Sequence, residues 1–144
     1  MTTEELAEKL RAEGDQPIPL FGVPVEVELP WTAPPLNLNQ RMHWRTKAAL
    51  TRQLRDAAAV LARHHHLHGY ERVRVTLHYQ PRDRRTRDAE NPIPTLKALA
   101  DGLVDAGVVR DDSPDLMVKD MPVIHDPARP PRLWLVVEPL PPLT

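Results

Sequence analysis

Acidic side chains occur in two short segments at spacings that could bind a divalent cation. The first segment contains Asp88 and Glu90, and the second is the pair Asp111 and Asp112. If the chain is extended at residues 88–90, side chains two positions apart point to the same side, roughly 6 to 7 Å apart at Cα, so both could share one ion. Oxygen ligands favour Mg²⁺ or Mn²⁺. Such a cluster is typical of enzymes that cleave phosphodiesters.

Both segments also have an ordinary structural interpretation. Asp88 and Glu90 lead into a predicted helix, and acids stabilise a helix N-terminus by about 0.3 to 1 kcal/mol each. Asp111 and Asp112 are followed by a serine and a proline, which are common turn residues. Spacing alone therefore leaves a metal site and a pair of polar turns as alternatives.

A single lysine, Lys97, lies between the two acidic segments, four residues before Asp101. This spacing puts both side chains on one face of a helix, where a surface pair contributes only a few tenths of a kcal/mol. If Lys97 instead points at the carboxylates and a phosphate, its charge would stabilise the negative charge that develops during in-line displacement. The local sequence is compatible with both roles.

Positive charge is concentrated in the middle of a chain that is nearly neutral overall. The 144 residues contain 19 Lys or Arg and 20 Asp or Glu, and residues 39–87 hold twelve of the basic and only three of the acidic ones. A basic surface beside an acidic site is expected of a protein that binds phosphates, although a solvated arginine-rich loop gives the same pattern. The predicted DNA-backbone contacts are Arg41, Arg45, Lys47, Arg82, Arg84, Arg85 and Arg87.

The amino-acid composition excludes several kinds of site and several classes of protein. The chain has no cysteine, which excludes disulfides and thiolate metal sites. It has no apolar run of the roughly 18 residues that a membrane span needs, and its first residues do not resemble a signal peptide, so we expect a soluble cytoplasmic protein. With one Phe and two Tyr, stacking on unpaired bases is not expected to dominate binding. Trp31, Trp44 and Trp134 are interpreted as core or interface residues.

The hydrophobic pattern predicts an α+β domain in which two main helices pack on a small mixed sheet, in the order β-α-β-α-β-β, preceded by a short N-terminal helix. The predicted helices cover residues 2–13, 46–66 and 91–106, and the predicted strands cover 23–29, 73–79, 117–124 and 133–138. Thr2 and Glu5 have capping-box spacing, and Asn91 is a candidate N-cap. We divide the chain into an N-terminal appendage (1–22), one domain (23–139) and a Pro-rich tail (140–144).

Four histidines at the end of the predicted helix 46–66 form a rival metal site. His64 and His68 would share a helical face and could bind zinc. Protonated histidines are also favourable at a helix C-terminus without any metal, which is the interpretation we prefer.

A series of motifs along most of the chain follows the order of one known family. The motifs are Leu29-Pro30-Trp31, Asn37 and Asn39, Arg84-Arg85-x-Arg87-Asp88-x-Glu90-Asn91, Lys97, Asp101, Ala106-Gly107, Asp111-Asp112 and Lys119-Asp120-Met121-Pro122. On these motifs the chain resembles the RusA family of Holliday junction resolvases over roughly residues 25–139. Glu90 stands where the family more often has Asp, and three extra residues separate Asn91 from Lys97.

The resemblance implies a Mg²⁺-dependent endonuclease, with Mn²⁺ as a substitute ion, that resolves four-way DNA junctions. Catalytic roles would fall on Asp88, Glu90, Lys97 and Asp112, and Asp111 would complete the metal-binding carboxylates. Because a junction must be cut on two opposed strands, a homodimer is expected. The implied location is the bacterial cytoplasm, in a host or a phage-encoded protein. A less selective nuclease acting on flaps or forks, or a non-catalytic junction-binding protein, are the alternatives.

Overall fold

The computed structural model describes residues 1–143 as three α-helices and five β-strands. The helices are α1 (Thr3–Glu13), α2 (Trp44–His64) and α3 (Ile93–Asp105). The strands are β1 (Val25–Glu28), β2 (Val73–Gln80), β3 (Met117–Lys119), β4 (Val123–Ile124) and β5 (Arg132–Pro139). None of the helices in residues 1–143 is both long and apolar enough to span a bilayer.

All five strands belong to one mixed sheet. Its order is β1-β5-β2-β3, and β4 pairs with β2 further along the same strand. Strand β5 runs antiparallel to both of its neighbours, so Leu135 lies opposite Val27 on one side and Leu77 on the other. Strands β3 and β4 run parallel to β2. The predicted α+β class, with helices on a mixed sheet, is confirmed.

The strand residues alternate between a buried and a polar face of the sheet. On β2, Val73, Val75 and Leu77 are fully buried in one core with apolar residues of all three helices. The intervening Arg74 and Thr76 are half-buried, and Thr76 Oγ1 donates to a carboxylate oxygen of Asp120 at 3.0 Å. The helices therefore cover one face, while the other carries hydrogen-bonded polar side chains.

Helices α2 and α3 approach each other closely at Gly102. A Cβ atom added at Gly102 would collide with the carbonyl oxygen of Arg55 and lie 2.7 Å from Cβ of Ala58. Close by, Nη2 of Arg55 donates to Oδ1 of Asp105 at 2.8 Å. A glycine is needed at this position because the two backbones are in contact.

The N-terminal helix forms as predicted and contributes to the core. Oγ1 of Thr2 accepts the N–H of Glu5 at 3.1 Å, and Gly14 follows the last turn with φ of 83°. Leu6 and Leu10 are buried in the same core as the sheet and the other helices. Within the segment described as an appendage, α1 is thus packed on the domain.

Several predicted boundaries were wrong. Strand β1 begins at Val25 instead of residue 23, and α2 ends at His64 instead of residue 66. The strand predicted for residues 117–124 is divided into β3 and β4, because Pro122 lacks the N–H that a continuous ladder needs. Helix α3 begins at Ile93 with Pro92 at the N-cap, since Asn91 is held in the preceding turn and provides no side-chain cap. Helix α2 begins two residues earlier than predicted, at Trp44, with His43 as its N-cap.

Candidate active site and basic surface

Residues 88–92 form a turn, so the extended segment considered for Asp88 and Glu90 does not exist. The N–H of Asn91 donates to the carbonyl of Asp88, and that of Ile93 to the carbonyl of Glu90, both at 3.0 Å. These contacts between residues three apart close successive turns that lead into α3. The two carboxylates are exposed. Because residues 88–90 do not form a strand, alternation no longer places the two side chains on the same side.

Asp88 lines a cleft of about 300 Å³ together with Asn37, Asn39 and Asn91. The loop that carries Asn37 and Asn39 is fastened to the start of α3, because the N–H of Leu38 donates to the carbonyl of Asn91 at 3.0 Å. The structure therefore brings together Asp88 and the asparagines that contribute to the family resemblance.

Asp112 is bound by two lysines from different elements. Nζ of Lys97, on α3, lies 2.7 Å from Oδ2 of Asp112, and Nζ of Lys119, at the end of β3, lies 3.3 Å from the same oxygen. Lys97 also donates to Oδ1 of Asp101 at 2.8 Å. Lys97 therefore makes the helical pair with Asp101 and also points at a predicted catalytic carboxylate.

The charges in this cluster stabilise one another. The hydrogen bond from Lys97, and then that from Lys119, lowers the pKa of Asp112 below its ordinary value. The bond to Asp101, followed by that to Asp112, raises the pKa of Lys97. At neutral pH the cluster thus contains an ionised Asp112 beside the protonated ammonium group of Lys97.

Asp111 has a structural contact of its own. Oδ1 of Asp111 accepts the N–H of Asp112 at 2.8 Å, and the carbonyl of Ser113 accepts the N–H groups of Leu116 and Met117 at 2.9 and 2.8 Å. The turn predicted for residues 111–114 lies slightly later, at residues 113–116, and Asp111 and Asp112 come just before it. A turn beside the pair is compatible with a metal-binding role for Asp112.

The carboxylates suit Mg²⁺ in their chemistry but are not arranged as one cage. No group of three or more His, Asp or Glu side chains among residues 1–143 is placed to hold a metal. Among the ion pairs within residues 1–143, Asp112 takes part, whereas Asp88 and Glu90 do not. Mg²⁺ commonly takes one or two carboxylates and completes its shell with water and phosphate oxygens, so a single carboxylate such as Asp88 or Asp112 suits this ion in its ligand chemistry.

The predicted DNA-binding residues fall into two groups with different surroundings. In the loop after β2, Nη2 of Arg87 lies 2.8 Å from Oδ1 of Asp83, and Arg85 and Arg82 lie 3.4 and 3.9 Å from its other oxygen. Hydrogen bonds from Arg87 and from the N–H of Arg85 lower the pKa of Asp83. Arg84 is exposed in this loop. The second group, at the start of α2, consists of the exposed side chains of Arg41, Arg45 and Lys47.

Two features near these groups were not predicted from the sequence, namely the contact made by Lys119 and the exposure of Trp44. Lys119 contacts Asp112, although only its position beside Asp120-Met121-Pro122 had been noted. Trp44 was expected in the core or in an interface, yet its side chain is 68% exposed, whereas Trp134 is 6% exposed as expected. The signal available in the sequence is the position of Trp44 off the apolar stripe that Leu50, Leu54 and Leu61 form along the helix.

The histidines at the end of α2 pair with acids near α1. Nε2 of His66 lies 3.0 Å from Oδ1 of Asp15, and Nε2 of His64 lies 3.8 Å from a carboxylate oxygen of Glu13. These contacts join the end of α2 to α1 and the residues after it. In the part of the chain that the structure describes, the histidines belong to no metal-holding group.

A scan against protein-family models finds no match for this chain. A search of curated proteins likewise finds no significant relative. The interpretation of the site therefore rests on its own geometry and on the sequence resemblance.

Proposed function

We propose that the protein is a metal-dependent endonuclease of the RusA type that resolves four-way DNA junctions, in a bacterial or phage-infected cell. The observation that carries the proposal is the 2.7 Å contact between Lys97 and Asp112, which are fifteen residues apart in the chain. The resemblance singled out both residues as catalytic. A cation beside a carboxylate that can bind metal is an arrangement that supports phosphodiester hydrolysis.

Asp88 and Asp112 are the proposed metal-binding residues, with Glu90 and Asp111 beside them in the chain. When bound, Mg²⁺ would supply an activated water and neutralise charge on the phosphate. Lys97 exchanges its contact with Asp112 for a phosphate oxygen, and Asp101 keeps its ammonium group in place. Lys119 remains beside Asp112 and limits the negative charge that faces the DNA.

The basic side chains position the DNA. Arg82, Arg84 and Arg85 extend from the loop just before Asp88, and this proximity along the chain would place a phosphate near the carboxylates. Arg87 stays bound to Asp83 and shapes the loop more than it contacts phosphate. Because junction resolution requires two symmetric cuts, the active species is proposed to be a homodimer.

The test is cleavage of a synthetic four-way junction by the full-length protein in Mg²⁺ or in EDTA. We expect paired nicks in Mg²⁺ alone, and a loss of roughly 100-fold or more for Asp88→Asn and Asp112→Asn. The matched control is Asp115→Asn, which changes an exposed acid three residues after Asp112. Nicking in EDTA, or variants as active as the wild type, would contradict the proposal.

A non-catalytic junction-binding protein is the second candidate. It is favoured by the turn at residues 88–92 and by the two lysines on Asp112, which leave fewer free carboxylate oxygens for metal. This candidate predicts binding with a steep salt dependence and no cleavage in Mg²⁺ or Mn²⁺. Cleavage of flaps or forks at rates equal to junctions would instead indicate a less selective nuclease.

A further inference from the structure

Trp44, the first residue of α2, has a largely exposed side chain. Its side chain is 68% accessible, although indole rings are usually largely covered in folded proteins. It does not belong to the hydrophobic core or to the residues packed against it. A large aromatic surface left open in this way is available to a ligand.

The ring is held by its two neighbours in the sequence. Nδ1 of His43 accepts the N–H of Arg45 at 3.1 Å and so caps α2, which fixes the imidazole at the helix end. The imidazole stacks on Trp44 with ring centroids 5.7 Å apart and an interplanar angle of 28°. The guanidinium carbon of Arg45 lies 5.2 Å from the centroid of Trp44. We call these three residues the Trp44 platform.

The surface beside the platform carries more basic than acidic side chains. A depression of about 720 Å³ beside Trp44 is lined by Lys47 and Arg52. The acids that also line it are Asp56 and Asp105, and Asp105 is held by Arg55 at 2.8 Å. The first turn of α2 contains no acidic residue. Proteins that bind single-stranded nucleic acid combine aromatic rings with cations, since bases stack on the rings and phosphates contact the charges.

We propose that the Trp44 platform stacks an unpaired nucleobase of DNA, such as a base exposed at the crossover of a junction. This inference rests on the proposed function and adds a base contact to a site otherwise described by phosphate contacts. A second copy of the chain is a poorer occupant. In a two-fold symmetric contact through this face, Arg45 and Lys47 of both copies would be brought together, which is repulsive.

The experiment measures binding of a short single strand that carries 2-aminopurine, and of a blunt duplex of the same sequence, in EDTA so that no cleavage occurs. The full-length variants are Trp44→Ala, Trp44→Phe and the control Phe21→Ala, which removes an aromatic side chain that is 97% exposed elsewhere. We expect Trp44→Ala to weaken single-strand binding roughly 5- to 150-fold, with less effect on the duplex. Trp44→Phe should retain most of the affinity, and Phe21→Ala should match the wild type.

The salt dependence gives an independent readout. Because Trp44→Ala removes no charge, the slope of log affinity against log salt should stay unchanged. Equal affinity of Trp44→Ala and the wild type, or an equal loss on the duplex, would overturn the inference. A change in oligomeric state of Trp44→Ala in sedimentation, without loss of base binding, would also overturn it and identify the face as a contact between copies.

Failure of this inference can be told apart from failure of the proposed function. If the wild type binds the single strand through Trp44 but does not nick junctions, the endonuclease proposal fails and the platform stands. If junctions are nicked and Trp44→Ala binds normally, the platform fails alone. A wild type that binds neither DNA overturns both.

Discussion

The hydroxyl of Thr95 satisfies both backbone polar groups of Leu36. It accepts the N–H of Leu36 at 3.0 Å and donates to the carbonyl of the same residue at 2.8 Å. Thr95 is fully buried and lies in the first turn of α3, two residues before Lys97. This pair of bonds ties the loop that carries Asn37 to the helix that carries the candidate catalytic lysine.

Replacing Thr95 by valine keeps the shape of the side chain and removes the hydroxyl. The N–H and carbonyl of Leu36 would then be buried without partners. We expect each of these two groups to lower the free energy of unfolding by no more than about 1 to 3 kcal/mol. Urea denaturation measures the loss. The matched control is Thr51→Val, whose hydroxyl contacts only the exposed helical carbonyl of Lys47. Equal stability of both variants would refute a structural role for the Thr95 hydroxyl.

Gly102→Ala should destabilise the protein even though alanine favours helices by about 1 kcal/mol over glycine. The new Cβ would collide with the carbonyl of Arg55 and approach Cβ of Ala58 at 2.7 Å. Forcing α2 and α3 apart is expected to cost about 1 to 3 kcal/mol net, measured as a lower midpoint of thermal or urea unfolding. Adding Ala58→Gly should recover only part of the loss, since the collision with the backbone oxygen remains. A stabilised Gly102→Ala protein would contradict the close packing.

Asp83 organises the arginine-rich loop, and its titration reports that contact. The hydrogen bond from Arg87 lowers the pKa of Asp83, so its contribution to stability is present above the unfolded value of about pH 4 and is lost as the pH falls through the lower folded value. Arg87→Gln should raise the pKa of Asp83 toward its ordinary value in an NMR titration. Arg84→Gln, in an exposed neighbour, should leave it much less changed, and similar shifts in both variants would count against a specific pair.

The sequence predicted the fold well where periodicity was strong and missed local chain geometry. Alternation on β2 and the apolar stripe of α2 identified both elements, because burial of one face sets these periods. The divided strand at Pro122 and the late start of α3 depend on individual backbone hydrogen bonds, which no hydrophobic pattern encodes. The N-terminal helix was predicted, but its packing through Leu6 and Leu10 required the tertiary structure.

The candidate site was predictable only in part for a similar reason. The contact of Lys97 with Asp101 follows from helical spacing, but its contact with Asp112 depends on how the turn after α3 folds back. Lys119 joins the cluster through the position of β3 beside β2, which is a long-range pairing. The assumed extension at Asp88 failed because successive turns there lead into α3.

His78 should make stability sensitive to mildly acidic pH. Burial, and then the nearby His125, lowers the pKa of His78, and the two rings share a 2.8 Å hydrogen bond. Its contribution is therefore complete above the unfolded value of about 6.5 and is lost as the pH falls through the lower folded value. His78→Gln should reduce the pH dependence of urea unfolding between pH 7.5 and 5 relative to the wild type, and an unchanged dependence would contradict the prediction. A remaining slope is expected, because burial also lowers the pKa of His65.

Lys97 and Lys119 can be separated by their effects on Asp112. The shorter contact, 2.7 Å against 3.3 Å, predicts that Lys97→Met raises the pKa of Asp112 more than Lys119→Met does. NMR titration of Asp112 tests this without any assumption about activity. In junction cleavage, Lys97→Met should lose roughly 100-fold and Lys119→Met less, because only Lys97 is proposed to transfer its contact to the phosphate.

Lys97→Arg is the matched control, since it keeps the charge on α3 and should leave the pKa of Asp112 depressed. A raised pKa without loss of cleavage in Lys97→Met would make Lys97 a structural partner of Asp112 and remove it from the proposed chemistry. Loss of cleavage in Lys97→Met with an unchanged pKa of Asp112 would mean that the 2.7 Å contact is not made in solution. The proposed exchange, in which Lys97 leaves Asp112 for a phosphate oxygen, requires that Lys97→Met both raise the pKa of Asp112 and lose cleavage.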